Sequence, residues 1–515
     1  MNQRPNPPPP AGTRMGPGLL YLTTALLPFL IGIGLPRGVQ GTQAVALESG
    51  LTATISQIGV PPEYAWILPR ILWLLGVGVL GLLAWRDLGL DRRKPFLWLW
   101  GLYLLAVLAS ALLAEDDWNY KLLGGVGRMD GVLYQVSLGL WATLAYLVFL
   151  RVPQAGPRFL GILAAVGGIE TLVLVLQRLG YDFIGNYYIN GSYPVTVGTV
   201  GHPGMAAGLL LASFFSAAWW AYRRQAHTWL WLALTLWISI GIGVTTNKST
   251  TLAIALVLAA LIALLRRREP VVLLTVFLLG SLVLTPLIPN RLGFARSLAN
   301  PHTGITRLMI WRLAGQVLVK TPGQPFIGAG PDGFLLGLMS DVPIRELLKE
   351  YRLEYGWPPE TEVLNVRPLF NAKDPPRSRA FLVELKNYPE PGKQKKIIYR
   401  YYLDKAHNLF LDRAVDYGVI AALLWLALFW GPLVAFLRRQ WADRSRLGDW
   451  LLFGGLAALF LYYLAWFPVP QVEPLHVAFL ALAWVVAEKR TGASRHDQLA
   501  ASSKETTGNP GFGHP

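Results

Sequence analysis

The sequence contains no cysteine, so it can form neither a disulfide bond nor a catalytic thiolate. Charged residues are scarce at 15% of the chain, whereas an average soluble domain carries about 25%. Histidine occurs only 7 times, and no two histidines have His-x-x-x-His spacing. We therefore expect no metal site and no bound cofactor.

Long apolar runs are abundant, and 53% of the residues are hydrophobic. A helix of about 20 apolar residues is long enough to cross a bilayer. We predict twelve such spans and an all-α integral membrane protein. The predicted spans are 18–35, 65–85, 96–114, 132–150, 159–178, 204–222, 228–245, 250–265, 271–289, 410–437, 450–467 and 470–488.

The distribution of Lys and Arg predicts the orientation of these spans. In the short connecting segments, most of the positive charge follows the even-numbered spans, which places both termini in the cytoplasm. The long segment between spans nine and ten then lies outside. The predicted division is a disordered N-terminus 1–17, nine spans in 18–289, an outer catalytic loop 290–409 with an amphipathic helix and a polar insert, three spans in 410–488, and a disordered tail 489–515.

Three short outer segments carry unusual polar residues. Arg128 and Asp130 stand at the mouth of span four, either as an interfacial ion pair or as a contact for an anion. His202 opens span six in "GTVGHPGMAAG", where a turn residue is more typical than a ligand. Lys248 lies at the centre of the tight hairpin "TTNKST", where it can either extend toward the membrane surface or hold a phosphate.

The segment after span nine predicts a helix that lies along the membrane surface. The apolar residues of 306–320 alternate with basic ones at helical spacing, Leu308, Trp311, Val317 and Leu318 against Arg307, Arg312 and Lys320. The "GAGPDG" turn that follows lacks the Gly-Lys-Ser/Thr ending of a phosphate-binding loop. We therefore expect neither nucleotide nor nucleic-acid binding.

His407 lies where a polar segment gives way to the apolar run of span ten. At a helix N-terminus, the helix dipole and nearby cations such as Lys405 disfavour a protonated ring. A neutral imidazole can accept a proton, so His407 is a possible general base. The alternative is a histidine that only marks the membrane interface.

Several of these motifs, in this order, resemble those of the O-antigen ligase and polymerase superfamily, over roughly residues 95–440. His407-Asn408 followed by Gly418 matches its spaced His-Asn and Gly. Arg307 and Trp311 match its Arg-x-x-x-Trp helix, and "PFIGAG" matches the Pro-x-x-Gly-x-Gly turn that follows. His202 stands where the family has Asn, and Lys248 stands where it has Arg.

The resemblance implies a metal-independent glycosyltransferase in the bacterial inner membrane, with its active site facing the periplasm. The donor would be a glycan on undecaprenyl diphosphate, and the acceptor a lipid A-core or another glycan, with membrane lipid around the protein. The insert near 337–400 could recognise the acceptor. The implied roles are general base for His407, diphosphate binding for Arg307, Lys248, Arg312 and Arg128, and support for Asn408, Trp311 and His202.

Four alternatives remain open from the sequence, and the weakest is a binding protein without catalytic activity. A polymerase would use the same lipid carrier, and a protein O-oligosaccharyltransferase would use the same donor chemistry. A transporter of lipid-linked sugars would also place cations within the membrane.

Overall fold

The structure is a computed structural model, and most of the residues it describes are helical. It describes residues 12–30, 64–85, 94–114, 118–124, 129–181, 188–190, 193–223, 227–290, 302–331, 333–334, 360–368, 380–387, 390–400, 405–440 and 446–506.

Sixteen helices are numbered here in chain order within these residues. They are α1 Gly12–Leu26, α2 Tyr64–Trp85, α3 Pro95–Leu113, α4 Trp118–Leu123, α5 Val132–Arg151, α6 Ala155–Arg178, α7 Pro203–Arg223, α8 Thr228–Thr245, α9 Lys248–Leu265, α10 Arg268–Leu287, α11 His302–Leu318, α12 Gln324–Ile327, α13 Leu409–Tyr417, α14 Val419–Gln440, α15 Leu447–Tyr463 and α16 Glu473–Thr506.

Eight of the described helices are long and apolar enough to cross a membrane, namely α3, α5 to α10, and α14 over Val419–Arg439. The chain is therefore a multi-pass membrane protein, and these helices begin and end close to the predicted spans except at the start of α14. Shorter apolar helical stretches, Met15–Phe29, Arg70–Gly81 and Leu447–Tyr463, lie within or across the predicted spans one, two and eleven.

Both predicted disordered termini contain helix in the structure. Helix α1 begins at Gly12, inside the segment 1–17, and α16 continues to Thr506, inside the segment 489–515. A hydropathy pattern marks the part of a helix that lies in an apolar environment, and the helix itself can extend beyond it. Residues after 488 include Ala, Lys, Gln, Arg and Glu, which favour helix, and proline is absent until 510.

The prediction of a single helix over 410–437 is wrong, because the helix is interrupted at Gly418. This glycine has a φ of 89°, and a Cβ added to it would lie 2.0 Å from the carbonyl oxygen of Phe326. Only glycine fits this conformation and this close approach. His407 therefore precedes the short helix α13, and the membrane-length helix α14 starts twelve residues later, at Val419.

Five short strands accompany the helices in the described part of the chain. Strands β1 (Tyr188–Asn190) and β2 (Tyr193–Val195) form a hairpin, and β3 (Glu362–Pro368), β4 (Ala380–Lys386) and β5 (Gln394–Arg400) form an antiparallel meander. The meander occupies the polar insert, where no sheet was predicted. The end of the sequence "AFLVELK" alternates apolar and polar residues as a strand does, so this signal was present between the prolines.

Side-chain contacts define two ends of the helix bundle. At one end, the segments before α5, α7, α9, α13 and α16 meet, as the contacts described below show. At the other end, Lys94 pairs with Glu488 at 3.2 Å, and the Tyr222 hydroxyl donates to the carbonyl of Glu269. Helix α7 is the most buried of the eight candidate spans, because 94% of the residues in its most apolar stretch are buried. His202 directly precedes this central helix.

Candidate functional site

Three of the predicted site residues surround one indole ring, that of Trp466. The ring centroid lies 5.2 Å from that of His202 and 5.5 Å from that of His407, and the Arg307 guanidinium carbon lies 5.8 Å from it. Trp466 is 5% exposed and belongs to the connector 464–472 between α15 and α16. The structure thus brings together side chains from three distant parts of the sequence.

Hydrogen bonds of the next residue, Asn408, fix the position of the backbone at His407. The Asn408 side chain caps α13 by accepting hydrogen bonds from the backbone N–H groups of Phe410 and Leu411, at 3.0 and 3.1 Å. Its amide nitrogen donates to the carbonyl of Leu464 at 3.0 Å. Asn408 therefore fastens the start of α13 to the connector that carries Trp466.

Arg307 reaches the same connector from α11. Its guanidinium donates to the carbonyl of Ala465, next to Trp466, and burial lowers its pKa from the ordinary arginine value. Trp311 lies one turn further along the same side of the helix, and its buried Nε1 has no hydrogen-bond partner among the described residues. A partly desolvated cation at this position suits an anionic group better than a solvated one does.

Arg312 is exposed, and the structure separates it from Arg307. Five residues on an α-helix turn through about 140° relative to the starting direction, so the two side chains leave α11 on different sides. The predicted apolar face also needs correction, because Leu308 is 65% exposed. The buried face of α11 is formed by Met309, Ile310, Leu313, Ala314 and Val317.

His202 combines the predicted turn role with a place at the indole. Its Nδ1 accepts a hydrogen bond from the backbone N–H of Gly204 at 3.0 Å. A Cβ at Gly204 would lie 2.1 Å from the Trp466 ring, so the start of α7 packs directly on the indole. Upstream, the buried Glu170 carboxylate accepts from the N–H and the hydroxyl of Thr199, which fixes the loop before His202.

Lys248 is the first residue of α9, on a separate hairpin. Asn247 caps this helix by accepting from the backbone N–H of Thr250 at 2.9 Å. The Thr196 hydroxyl donates to the carbonyl of Val244 at 3.3 Å, so the hairpin lies against the segment that leads to His202. Lys248 itself is half-buried. Arg128 lies outside the described residues.

The glycine-rich turn contacts the far end of α13. The backbone N–H of Ala329 donates to Val415 at 2.8 Å, and that of Gly330 donates to Asp416 at 3.0 Å. The two motifs that carry the family resemblance, the Pro-x-x-Gly-x-Gly turn and the His-Asn segment with its spaced Gly418, thus meet on one short helix.

The expectation that Lys405 places an uncompensated positive charge beside His407 is wrong. Its ammonium group is fully buried and contacts the carboxylates of Asp130 at 2.5 Å and Asp416 at 3.1 Å. Two acids offset its charge, so Lys405 gives no reason to expect a neutral His407. Asp130, which was considered as a partner for Arg128, has Lys405 as a partner.

A second buried ion pair involves helix α13, which also carries Asp416. Arg413 contacts Glu473 at 2.8 Å, and the Tyr134 hydroxyl donates to the other carboxylate oxygen of Glu473 at 2.7 Å. His476 lies between the Tyr463 hydroxyl and the carbonyl of Gly208. Glu473 and His476 are therefore both used in packing, and the described part of the chain holds no group of three or more possible metal ligands.

Trp466 and the buried partners of Lys405 were not identified from the sequence. Trp466 is one of 20 tryptophans, and nothing in its local sequence marks it as the residue that three segments share. A signal did exist for Lys405, because Asp130 and Asp416 lie beside apolar spans, where a carboxylate needs a partner.

Comparison with protein-family models, with curated proteins and with solved structures gave no match.

Proposed function

We propose that this protein is a glycosyltransferase of the O-antigen ligase type. It would move a glycan from undecaprenyl diphosphate to an acceptor hydroxyl at the periplasmic face of a bacterial inner membrane. The observation that carries this proposal is the grouping of His202, Arg307 and His407 around Trp466. Each comes from a motif that the family resemblance singled out, and their convergence on one ring is independent of that resemblance.

The proposed topology has twelve spans, both termini in the cytoplasm and residues 290–409 in the periplasm. Its support is the two-ended bundle. Asn408 bonds to Leu464, Lys405 to Asp130, and Thr196 to Val244, so segments that each follow an odd-numbered span meet at one end. Three described basic residues at the ends of the short loops lie at the other end, because Lys94 pairs with Glu488, Arg439 donates to the carbonyl of Ala487, and Lys489 donates to that of Phe149. Basic residues are expected on a cytoplasmic side.

The proposed reaction is one displacement at the anomeric carbon of the donor sugar. His407 removes the proton from the acceptor hydroxyl as the oxygen forms its bond to that carbon. The bond from the carbon to the diphosphate oxygen breaks at the same time, and undecaprenyl diphosphate leaves with the bonding electron pair. A positioned general base of this kind contributes about 10²–10⁴-fold to a rate.

The cationic side chains would stabilise the diphosphate as its negative charge grows. Arg307 is the stronger candidate, because it is half-buried and oriented by the Ala465 carbonyl. A fixed charge in a shielded site stabilises a developing charge more than a mobile, solvated one does. Lys248 would act as a second cation from its hairpin, as a point charge rather than a bidentate fork.

Purified protein in liposomes with a radiolabelled, undecaprenyl-diphosphate-linked glycan tests the proposal. We expect transfer of label to an added glycan acceptor and release of undecaprenyl diphosphate, in chelator as well as in magnesium. His407→Ala should abolish transfer and retain donor binding, because the cations that hold the diphosphate remain. Full transfer by His407→Ala, or a strict need for magnesium, would contradict the mechanism.

The same assay separates the alternatives. Movement of the labelled lipid across the bilayer with no release of undecaprenyl diphosphate would indicate a transporter. Transfer to a second lipid-linked repeat unit would indicate a polymerase, and transfer to a peptide hydroxyl would indicate a protein glycosyltransferase.

A further inference from the structure

We infer that Lys405 is a positioning residue that holds His407 in a strained backbone conformation through its contacts with Asp130 and Asp416. The strain at His407 and the contacts that maintain it are geometric features that do not depend on the proposed function. The catalytic meaning of the strain rests on the proposed function.

The strain is visible in the backbone of His407, which has a φ of 54°. In this left-handed region the Cβ of an L-residue crowds the backbone, and glycine is the residue that adopts it readily. A non-glycine residue remains there only when the surrounding structure holds it. His407 is not glycine, so neighbouring residues must supply that restraint.

Contacts on both sides of His407 supply the restraint. On the preceding side, the Lys405 ammonium is fixed by two carboxylates, and the backbone N–H of Ala406 donates to Asp412 at 2.7 Å. On the following side, Asn408 is fixed as the cap of α13. Both residues before the histidine and the residue after it are thus held in place.

Lys405 is the one of these anchors that joins separate parts of the chain by charge. Asp130 precedes α5, while Asp416 lies on α13, so the ammonium group links the segment 405–408 to both elements. All three side chains are nearly inaccessible to solvent, with exposures of 0%, 3% and 0% for Lys405, Asp130 and Asp416. Without water to screen them, these contacts hold their geometry tightly.

The neighbouring ion pair provides a matched control. Arg413 and Glu473 are equally buried and also join α13 to another element. Their contact does not involve residues 405–408. Loss of this pair should weaken the fold without changing the backbone at residue 407.

The test compares glycine with alanine at position 407 by melting temperature in detergent. In the otherwise native chain, His407→Gly should melt above His407→Ala, because only glycine is unstrained at this φ. With Lys405→Met added, the segment can relax to a negative φ, and the order should reverse because alanine is then favoured. With Glu473→Gln added instead, the glycine variant should still melt higher.

Lys405→Met leaves two buried carboxylates without their cation and can prevent folding. Asp130→Asn is the milder replacement, because it keeps the shape of the side chain and the contact between Lys405 and Asp416. It should reduce the difference between the glycine and alanine variants. An unchanged difference in both the Lys405→Met and the Asp130→Asn backgrounds would overturn the inference, as would a loss of the difference in Glu473→Gln.

A kinetic measurement tests whether the position of His407 matters for catalysis. A small displacement of a catalytic group can cost about 100-fold in rate. We therefore expect Asp130→Asn to lower kcat by about that factor with little change in the KM for the lipid donor. A fall in apparent affinity with unchanged kcat would overturn the positioning role. If no preparation transfers glycan, the proposed function fails, while the comparison of melting temperatures still decides whether Lys405 maintains the strain.

Discussion

Arg307 and Arg312 illustrate how the same residue type can have different surroundings on one helix. Arg307 is half-buried and bonded to the connector that carries Trp466, whereas Arg312 is exposed. Both are arginines, as expected in a diphosphate-binding site, so residue type alone does not show which of them is the better candidate. Their angular separation around the helix axis is what distinguishes them.

Replacing these arginines gives a direct comparison. Loss of one charge-assisted contact costs roughly 1.5–3 kcal/mol, so Arg307→Ala should lower donor turnover by about 10–150-fold. Arg312→Ala should change turnover little, because its side chain is exposed. Turnover of labelled donor by each purified variant checks this. Equal losses in the two variants would remove the distinction drawn from the structure.

Asn408 has two functions that can be separated by substitution. Asn408→Ala removes the helix cap, at a cost of about 0.5–2 kcal/mol in stability, and also the bond to Leu464. Asn408→Ser retains a capping oxygen but is too short to reach Leu464. We expect the serine variant to recover the melting temperature relative to alanine while glycan transfer stays low. Recovery of both properties would show that the bond to Leu464 is dispensable.

Members of the cluster around Trp466 could be predicted where a motif is local in sequence. The His-Asn pair at 407–408 and the Arg-x-x-x-Trp helix are such cases, and the structure places His407 and Arg307 beside one ring. Trp466 and the Asp130–Lys405–Asp416 contacts could not be predicted in this way. Each depends on packing between segments that are far apart, and no local spacing records that packing.

Helix α13 and the break at Gly418 show the same limit for whole elements. Hydropathy predicts where a chain can cross the membrane, and the predicted span 410–437 covers all but the first residue of α13 and most of α14. Hydropathy alone does not predict that a residue within an apolar run has a positive φ. The glycine itself was identified as part of a motif, but its structural reason is the close approach of the turn at Phe326.

Two glycine-to-alanine substitutions should have opposite effects on stability. Gly418→Ala places a side chain in the left-handed region, at a cost of roughly 1–2 kcal/mol from the backbone alone, and against the Phe326 carbonyl. Gly315 lies within α11, and a Cβ there meets nothing within 4 Å. Gly315→Ala should therefore stabilise the helix by roughly 0.5–1 kcal/mol. Thermal unfolding of both variants checks the signs, and destabilisation by both would contradict the assignment of α11.

At the scale of the whole molecule, the two ends of the bundle predict the orientation in the membrane. Glu390 lies in the exposed turn between β4 and β5, on the proposed periplasmic side. His227 is exposed between α7 and α8, on the proposed cytoplasmic side. The absence of native cysteine means that a single introduced cysteine reports one position.

An impermeant thiol reagent should label Glu390→Cys in cells whose outer envelope has been permeabilised. His227→Cys should react only after the inner membrane is opened. Lysed cells serve as the control, because both positions should then react. Labelling of His227→Cys alone in intact inner membranes would invert the proposed topology and place the Trp466 cluster on the cytoplasmic side.

The position of Trp466 between α15 and α16 also sets the order in which the site is completed during synthesis. The ribosome produces His202, Arg307 and His407 before it produces the connector 464–472 that they all contact. A nascent chain that stops before this connector contains these three side chains but lacks the Trp466 ring beside which they lie. The cluster is therefore complete only when α15, the connector and α16 have all been inserted, and prematurely terminated chains should lack the proposed transferase activity.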